Sequence, residues 1–244
     1  MPKYSIIIPA YNEGARLGAT LDRVLSHVAE RGWDAEVVVV NDGSRDDTVE
    51  LVHVRAKVNP ALRLIENPGN HGKGYSVRNG MLHANGEILL FTDADLSAPI
   101  EQASKLFAAV EADAGVAVGS RWLQPALQAQ RQSLLRQFYG RSFNLVLRIL
   151  LGLKFKDTQC GFKAFRREVA KKLFSMQTIE GWGFDAELLY LADRLGMKVQ
   201  EIPVVWSDAA GTRIHPLRDG LHMIAEVLVI RWNTLTGKYP RANS

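Results

Sequence analysis

Two aspartates in the first half of the chain stand where they can bind a metal ion. Asp93 and Asp95 flank one alanine and directly follow the apolar run Ile88–Phe91, which is typical of a buried strand. Paired carboxylates suit a hard divalent cation, Mg²⁺ or Mn²⁺, which usually keeps coordination sites for substrate phosphates. The alternative is a solvated turn whose aspartates cap the next helix, but the position at a strand end favours the metal site.

Other polar side chains follow two further predicted strands. Tyr11 and Glu13 come after the first strand, and Asp42 comes after the second. Ligands of parallel sheets bind beyond the carboxyl ends of the strands, so these residues predict a ligand crevice. Each also has a structural explanation: Tyr11 as core, Glu13 as a charge at a helix start, Asp42 as a helix cap. Neither a Gly-x-Gly-x-x-Gly nor a P-loop motif is present, which argues against dinucleotide oxidoreductases and P-loop NTPases.

The elements that must position these residues alternate between strands and helices in the first half. Strand patterns cover Tyr4–Pro9, Glu36–Asn41, Leu62–Glu66, Glu87–Thr92 and Val116–Gly119. Helical patterns cover Arg16–Arg31, a segment from Ser44 or Asp46 to about Val58, Gly74–Ala84 and Pro99–Ala112. Repeated β-α units predict an α/β fold with a mostly parallel, doubly wound sheet and helices on both faces.

The second half departs from this alternation. Gln124–Gln132 is polar and is expected to be a mobile loop. The remaining segments are predicted as a long helix, a compact strand or turn, a helix, a strand and an amphipathic helix: Ser133–Leu153, Asp157–Arg166, Gly183–Leu195, Val199–Trp206 and Pro216–Leu235.

Charge is distributed unevenly along the 244 residues, although the net charge is only +4. Residues 1–120 carry 11 Lys and Arg against 16 Asp and Glu, a net of −5; residues 121–244 carry 19 against 10, a net of +9. A basic half suits nucleic acid, an anionic membrane surface or a phosphorylated substrate. The single cysteine, Cys160, excludes a disulfide framework and a cysteine-based zinc site, and it indicates a reducing compartment. No signal peptide and no membrane-spanning stretch are predicted.

Several ordered segments together resemble the family 2 glycosyltransferases of the GT-A fold. They are SIIIPAYNE, VVVVNDGSRDDT, NPGNHGKGYSVRNGM, FTDADLSAP and VGSR. The further segments DTQCGFKAF and GWGFDAELLYLA are similar to the dolichyl- and polyprenyl-phosphate glycosyltransferases, closest to their β-glucosyl branch. The resemblance implies an inverting, metal-dependent enzyme that uses a nucleotide sugar.

The resemblance assigns residues to the donor side of a site. Asp93 and Asp95 match the motif that binds the metal and the diphosphate, and Asp95 is also a catalytic candidate. Lys73 lies in a loop beside the donor, and Asp42 matches an aspartate that contacts the base. The remaining matches belong to the motif that contacts the nucleotide: Pro9, Tyr11 and Glu13.

The resemblance also assigns an acceptor side. Arg121, Arg136 and Arg213 match basic positions that bind the acceptor phosphate or close over the diphosphate. Asp157 is the second catalytic candidate, either orienting groups and acting as a weak base or holding an arginine in place. Asp185 and Glu187 match an acidic helix segment, and each is equally well explained as structural.

The expected activity is therefore transfer of glucose from UDP-glucose to dolichyl or polyprenyl phosphate. The segment Asp95–Pro99 is similar to a mannosyl branch, so GDP-mannose as donor stays an alternative, as does a sugar or protein hydroxyl as acceptor. A nucleic-acid-binding protein is the alternative from another class. It lacks a reader motif and leaves the acidic strand ends unexplained.

A membrane surface is the expected location. Residues 1–215 are predicted to form the catalytic domain, and 216–244 a C-terminal amphipathic helix and tail. Ser133–Leu153 and Pro216–Leu235 are too charged to span a membrane but suit its interface, and packing on the sheet or a dimer contact is the alternative. The expected location is cytoplasmic, peripheral to the cytoplasmic membrane face. The oligomeric state stays open.

Overall fold

The computed structural model describes residues 1–130, 144–207 and 216–240. The strands of its main sheet are β1 (Tyr4–Ala10), β2 (Ala35–Asn41), β3 (Leu62–Glu66), β4 (Ile88–Thr92), β5 (Val116–Ser120), β7 (Phe162–Arg166) and β8 (Val199–Pro203). These seven strands lie in the order β3-β2-β1-β4-β7-β5-β8. All neighbouring pairs are parallel except those of β7, which runs antiparallel to both β4 and β5.

Helices cover both faces of this sheet because the central strands are apolar on both sides. Ile6 and Ile8 of β1 pack with Leu17 in one core cluster, whereas Ile7 packs with Val77 in the other. The predicted fold class is thereby confirmed. The helices are α1 (Gly14–Glu30), α2 (Thr48–Ala56), α3 (Lys73–His83), α4 (Ala103–Glu111), α5 (144–151 among the described residues), α6 (Arg167–Met176), α7 (Phe184–Arg194) and α8 (Pro216–Leu235).

Several elements differ from the prediction. The helix α6 was not predicted, although Ala170, Leu173 and Phe174 place a buried stripe at helical spacing. The predicted strand Val199–Trp206 ends at Pro203, and a short strand β9 (Trp206–Ser207) follows it.

The segment predicted as the mobile loop Gln124–Gln132 also contains regular structure. It includes a 3-10 turn and a strand β6 (Gln128–Gln130) that pairs with β9 in a second, two-stranded sheet. Similarly, the predicted helix Pro99–Ala112 begins as a 3-10 turn before α4. Residues 133–143 of the predicted helix Ser133–Leu153 lie outside the described residues.

The C-terminal helix α8 packs against the same core as α6 and α7. Val227 and Ile230 are fully buried there, whereas Leu228 and Trp232 are exposed. Among the residues that the structure describes, no helix is both long enough and apolar enough to cross a membrane. The division into a catalytic domain and a C-terminal appendage stays a prediction.

Candidate active site

The site is built at the carboxyl edge of the sheet, as predicted. The last residues of β1 and β2, Ala10 and Asn41, lie opposite each other in register. The strand β4 pairs with the other side of β1, so its C-terminal turn with Asp93 and Asp95 lies at the same edge. Three polar loops therefore come together although 31 and 51 positions separate Asp42 from Tyr11 and Asp93 in sequence.

The loop after β1 is tied to the loop after β2. The Asn12 backbone N–H donates to Ser44 Oγ at 2.9 Å, the Arg45 N–H donates to Asn12 Oδ1 at 2.7 Å, and the Glu13 N–H donates to Thr48 Oγ1 at 2.8 Å. Tyr11 is 37% exposed, so it is not a core residue. Pro9 lies within β1 opposite Val40.

Arg16 is a charged residue of this region that was not predicted. Its guanidinium pairs with the Glu13 carboxylate, with Nη2 2.8 Å from Oε1. The pKa of Arg16 is raised chiefly by this bond, with further contributions from the charges of Asp95 and Asp93. Arg16 thus lies within electrostatic reach of the two aspartates, and its spacing of three from Glu13 was the available signal.

Asp42 holds the loop that leads into α3. Its Oδ1 accepts N–H groups from the Asn67 side chain at 2.8 Å and from the His71 backbone at 3.1 Å. Its Oδ2 accepts the Gly72 N–H at 2.8 Å. Gly72 has a φ of 104°, which a side chain would strain, so the turn needs glycine. Asp42 therefore fixes the start of α3, and the predicted base contact stays a prediction.

Lys73, the first residue of α3, contacts Asp93 directly. Its Nζ lies 2.5 Å from Asp93 Oδ1. Burial lowers the pKa of Lys73, but attraction by Asp93 and Asp185 outweighs this effect and raises it overall. Loss of solvent raises the pKa of Asp93, the repulsion of Asp95 and Asp185 adds to this, and Lys73 offsets only part of it.

The turn that carries the two aspartates is closely supported. Thr20 Oγ1 of α1 donates to Ala94 O at 2.6 Å, and Asp95 Oδ1 accepts the Ser97 N–H at 2.9 Å. A side chain at Gly161 would overlap the Asp93 carboxylate, so glycine of the DTQCGFKAF segment is required for this approach. The metal-binding candidates and the acceptor-side motif are therefore in contact.

The carboxylates Asp93 and Asp95 fit a divalent metal that is shared with a ligand. Among the described ranges, no cluster of three or more His, Cys, Asp or Glu side chains is arranged to hold a metal alone. Two hard carboxylates suit Mg²⁺ or Mn²⁺ when phosphate oxygens and water complete the coordination.

In the loop that leads to Gly161 and β7, Asp157 forms a bidentate ion pair with Arg121, the residue after β5. The Nε–Oδ2 and Nη2–Oδ1 distances are 2.7 and 2.8 Å, and the Arg121 backbone N–H also donates to Oδ2 at 3.0 Å. Burial would raise the pKa of Asp157, but Arg121 outweighs it and holds the pKa below its usual value. The guanidinium carbon lies 5.5 Å from the ring centres of both Trp122 and Trp206. The Arg121 guanidinium is held by two hydrogen bonds to Asp157 and by the two tryptophan rings, so its orientation is fixed for binding an anion.

Two residues outside the predicted site, Glu201 and Asn144, fix the loop around Asp157. Glu201 accepts the N–H groups of Lys156 and Asp157 at 2.9 Å. Asn144 Oδ1 accepts the Thr158 N–H at 3.1 Å and its hydroxyl at 2.7 Å. The other two predicted acceptor residues, Arg136 and Arg213, lie outside the described residues.

Lys163 and Asp185 form a buried ion pair beneath the site. Lys163 belongs to β7 and also donates to Cys160 O at 2.7 Å, while Asp185 lies in the first turn of α7. Burial, with the charges of Asp157 and Asp93, raises the pKa of the Cys160 thiol to about 12. Cys160 lies within electrostatic reach of both aspartates, and a thiol with such a raised pKa is unreactive at neutral pH.

Glu187 is a structural residue rather than part of the crevice. It is fully buried, and its carboxylate accepts bonds from the Thr178 N–H and hydroxyl at 2.8 and 2.7 Å, from the Ile179 N–H at 2.9 Å and from the Tyr239 hydroxyl. These bonds hold the C-terminal segment against the 177–183 segment.

The fold and the charged loops define an α/β protein whose candidate site lies at the carboxyl edge of a mostly parallel sheet. Residues 5–174 match the model of the family "Glycosyl transferase family 2". The chain therefore belongs to glycosyl transferase family 2, which confirms the predicted family and enzyme class.

Several similar proteins are named dolichyl-phosphate beta-glucosyltransferase. The chain is 36% identical to the dolichyl-phosphate beta-glucosyltransferase of Drosophila melanogaster, over 96% of this chain and 76% of the relative. It is 34% identical to the human protein of that name over the same shares, and 36% identical to one from Trichomonas vaginalis over 86% of this chain. The chain spans 65% of the length of the Trichomonas protein and about three quarters of the others.

Solved structures share the fold at lower identity. Glucosyl-3-phosphoglycerate synthase from Mycobacterium tuberculosis superposes with a TM-score of 0.68 at 22% identity, over 95% of this chain and 79% of the synthase. That protein was crystallised with Mn²⁺, UDP and glucosyl-3-phosphoglycerate, and in another crystal with Mg²⁺ and UDP. The likeness confirms the GT-A fold.

Proposed function

We propose that this protein transfers glucose from UDP-glucose to dolichyl or polyprenyl phosphate. The observation that carries the proposal is the proximity of two different charged groups, the carboxylates Asp93 and Asp95 and the Arg121–Asp157 ion pair. Gly161 approaches the Asp93 carboxylate, and Asp157 lies four residues earlier in the same loop. The two carboxylates suit a metal-bound diphosphate and the ion pair suits a phosphate acceptor. The names of the relatives favour glucose over mannose.

On the donor side, Asp93 and Asp95 would hold Mg²⁺ or Mn²⁺. The metal, when bound, neutralises the charge that develops on the departing diphosphate. Lys73 is a nearby cation that can pair with the departing diphosphate, since its Nζ lies 2.5 Å from Asp93 Oδ1. Asp42, Tyr11 and Glu13 border the same crevice, and we assign them to the nucleoside.

On the acceptor side, the buried carboxylates are already engaged by cations. Asp157 is paired with Arg121, and Asp185 with Lys163. The lowered pKa of Asp157 makes it a poor proton acceptor, so we assign it to holding Arg121 rather than to base work. A phosphate monoester has a second pKa of about 6 and is an anion at neutral pH, so it needs no strong base. This favours a phosphate acceptor over a hydroxyl.

In the reaction, an acceptor phosphate oxygen forms a bond to the anomeric carbon of glucose. The bond from that carbon to the diphosphate breaks, and UDP leaves with the electron pair. No proton has to be removed from an ionised phosphate. The acceptor phosphate and the donor diphosphate are both anions and repel each other. The protein aligns them through the positive charges of Lys73 and Arg121.

A lipid acceptor requires contact with a membrane, and two helices offer apolar side chains for it. Leu145 and Ile149 of α5 are exposed, as are Leu228, Trp232 and Leu235 of α8. We propose that these helices lie in the interface of the cytoplasmic membrane face, where apolar side chains enter the lipid and nearby basic residues meet anionic headgroups.

A donor-by-acceptor assay tests the proposal. UDP-glucose and GDP-mannose are each incubated with polyprenyl phosphate, a soluble sugar hydroxyl or neither, in the presence of Mn²⁺. We expect sugar transfer only from UDP-glucose to the lipid phosphate. Transfer from GDP-mannose would overturn the donor, and transfer to the hydroxyl alone would overturn the acceptor.

A further inference from the structure

The C-terminal helix α8 contacts the segment Gly181-Trp182-Gly183 through one carboxylate. Glu226 Oε2 accepts the Gly183 N–H at 2.7 Å. A side chain at Gly181 would overlap Oε1 of the same carboxylate, and one at Gly183 would lie 2.7 Å from Oε2. The two glycines thus form a socket that the Glu226 carboxylate fills, and Trp182 lies between them.

Trp182 connects this socket to the donor side of the site. The Lys73 Nζ lies 5.1 Å from the centre of the Trp182 ring, within the range of a cation–π interaction, and 2.5 Å from Asp93 Oδ1. Glu180, the residue before this segment, supports the start of α3, because its carbonyl oxygen accepts the Tyr75 N–H at 3.2 Å. The series of contacts runs from Glu226 through Trp182 to Lys73.

We propose that Glu226 is a positioning residue for Lys73, which makes the C-terminal helix a working part of the donor side. Glu226 holds the Gly181–Gly183 turn, and the turn holds the Trp182 ring against the ammonium group. The assignment of Lys73 to the donor rests on the proposed function, but the coupling between Glu226 and Lys73 does not.

Anchoring α8 does not require this carboxylate. Val227 and Ile230 are fully buried, and the Tyr239 hydroxyl binds Glu187, so the helix is held by other contacts. Burial raises the pKa of Glu226, and the nearby charge of Glu187 adds to this effect, so an ionised carboxylate at this position carries a cost. Because the Glu226 carboxylate is unfavourable to bury and other contacts hold α8 in place, we assign it a positioning role.

Fluorine NMR of the full chain labelled with 5-fluorotryptophan tests the coupling without any ligand. The Trp182 signal is assigned with Trp182→Phe. Glu226→Ala should shift or broaden that signal and leave the signals of the other four tryptophans in place, whereas Glu226→Gln, which keeps an oxygen for the Gly183 N–H, should leave it near its wild-type position. Glu168→Ala, on the exposed side of α6, is the matched control. An unchanged Trp182 signal in Glu226→Ala overturns the proposal.

Nucleotide affinity tests whether the effect passes through Lys73. UDP and GDP are first titrated with Mn²⁺ into the wild type. The nucleotide that binds more tightly is then titrated into Glu226→Ala, Lys73→Met and the double variant. Glu226→Ala should weaken binding about fivefold, the order expected for one lost polar or cation–π contact. In the Lys73→Met background it should add less than about twofold, because contacts in series are not additive. Equal weakening in both backgrounds overturns the proposal.

Gly181→Ala provides a second route if Glu226→Ala folds poorly. The added methyl group displaces the carboxylate without removing any side chain from the core, so it should weaken nucleotide binding like Glu226→Ala. Combining the two should weaken it no further. If the losses of nucleotide affinity in the two single variants add up fully in the double variant, Gly181 and Glu226 do not act through one socket. If the wild type binds nucleotide but transfers no glucose, the proposed function fails while these comparisons still decide the coupling.

Discussion

Asp95 lies in the turn after β4, where its carboxylate accepts the Ser97 N–H at 2.9 Å. Asp95→Asn keeps an oxygen for that bond and removes the charge that a metal needs. We expect UDP binding in the presence of Mn²⁺ to weaken roughly tenfold or more, since even indirect partners of a metal contribute that much. Calorimetry with Mn²⁺ and with EDTA measures the difference.

Asp113→Asn, an exposed carboxylate in an ion pair with Lys198, is the control for this variant. If Asp95→Asn weakens UDP binding equally with and without Mn²⁺, Asp95 does not act through a metal.

Arg121 gives the corresponding prediction for the acceptor. Arg121→Lys keeps the positive charge but cannot reproduce two parallel bonds to Asp157 together with an oriented face for an anion. The KM for polyprenyl phosphate should rise by about tenfold, or about 1.4 kcal/mol, while the affinity for UDP with Mn²⁺ stays within about twofold. An effect confined to UDP would place Arg121 on the donor side instead.

The Arg121–Asp157 pair also makes stability depend on pH. The pKa of Asp157 is lower in the folded chain than its usual value of about 3.9 in an unfolded one. The stabilisation is therefore complete above about pH 4 and is lost as the pH falls through the folded pKa. Denaturant unfolding at several pH values should show a steeper loss below about pH 4 in wild type than in Asp157→Asn. Parallel curves would contradict the ionised pair.

Strand ends and motif spacing identified Asp42, Lys73, Asp93, Arg121 and Asp157 from the sequence, and the structure places all five at the carboxyl edge of the sheet. Their roles stay predictions. Lys163 was missed because a lysine in an apolar strand gives no hint of its counter-ion, which lies 22 positions later on α7. Such a pair depends on tertiary packing and has no local signature.

Among the elements, the antiparallel strand β7 matters most for the site. It lies between β4 and β5, so the turn before it brings Gly161 against Asp93. Gly161→Ala should push the Asp93 carboxylate aside and weaken Mn²⁺-dependent UDP binding about tenfold, as loss of a metal partner does. Titration of UDP with Mn²⁺ into the variant measures the change.

Gly220→Ala, in open space on α8, is the matched control, and we expect it to leave both affinity and fold intact. If the UDP affinity of Gly161→Ala is unchanged, displacement of the Asp93 carboxylate has no effect on binding, and the proposed contact between Asp93 and the metal is wrong.

Element types were predicted well where a strand is uniformly apolar or a helix has a clear stripe. The strands β1 to β5 and the helices α1, α3 and α7 agree with prediction within a few residues. The position of β7 in the sheet was beyond the sequence, because its residues alternate no differently from those of a parallel strand. The pairing of β6 with β9 was also missed, because it joins segments about 75 positions apart that are too short to show a period.

At the scale of the whole molecule, the uneven charge of the two halves is consistent with two anionic substrates. The acidic half supplies Asp42, Asp93 and Asp95, and the basic half supplies Arg121. The fold interleaves the halves, since β7 from the second is inserted beside β4 from the first. One crevice can therefore hold both substrates.

Membrane association is a property of the whole molecule that the exposed helix faces predict. Trp232 is 66% exposed on α8, and Trp232→Ala should weaken association with anionic lipid vesicles about tenfold, the order of one buried aromatic side chain. Cosedimentation of the full chain with vesicles measures this. Val58→Ala, also exposed but outside both helices, should have no effect. Equal binding by wild type and Trp232→Ala would remove α8 from the interface.

In the proposed reaction, an ionised oxygen of the lipid phosphate attacks the anomeric carbon of glucose and UDP leaves. Mass spectrometry and phosphorus NMR identify the products formed from UDP-glucose, Mn²⁺ and polyprenyl phosphate. We expect a glucosyl phosphodiester of the lipid and UDP in equal amounts. If UDP is released while glucose is found free or on a hydroxyl and the lipid phosphate is unchanged, the proposed reaction is wrong.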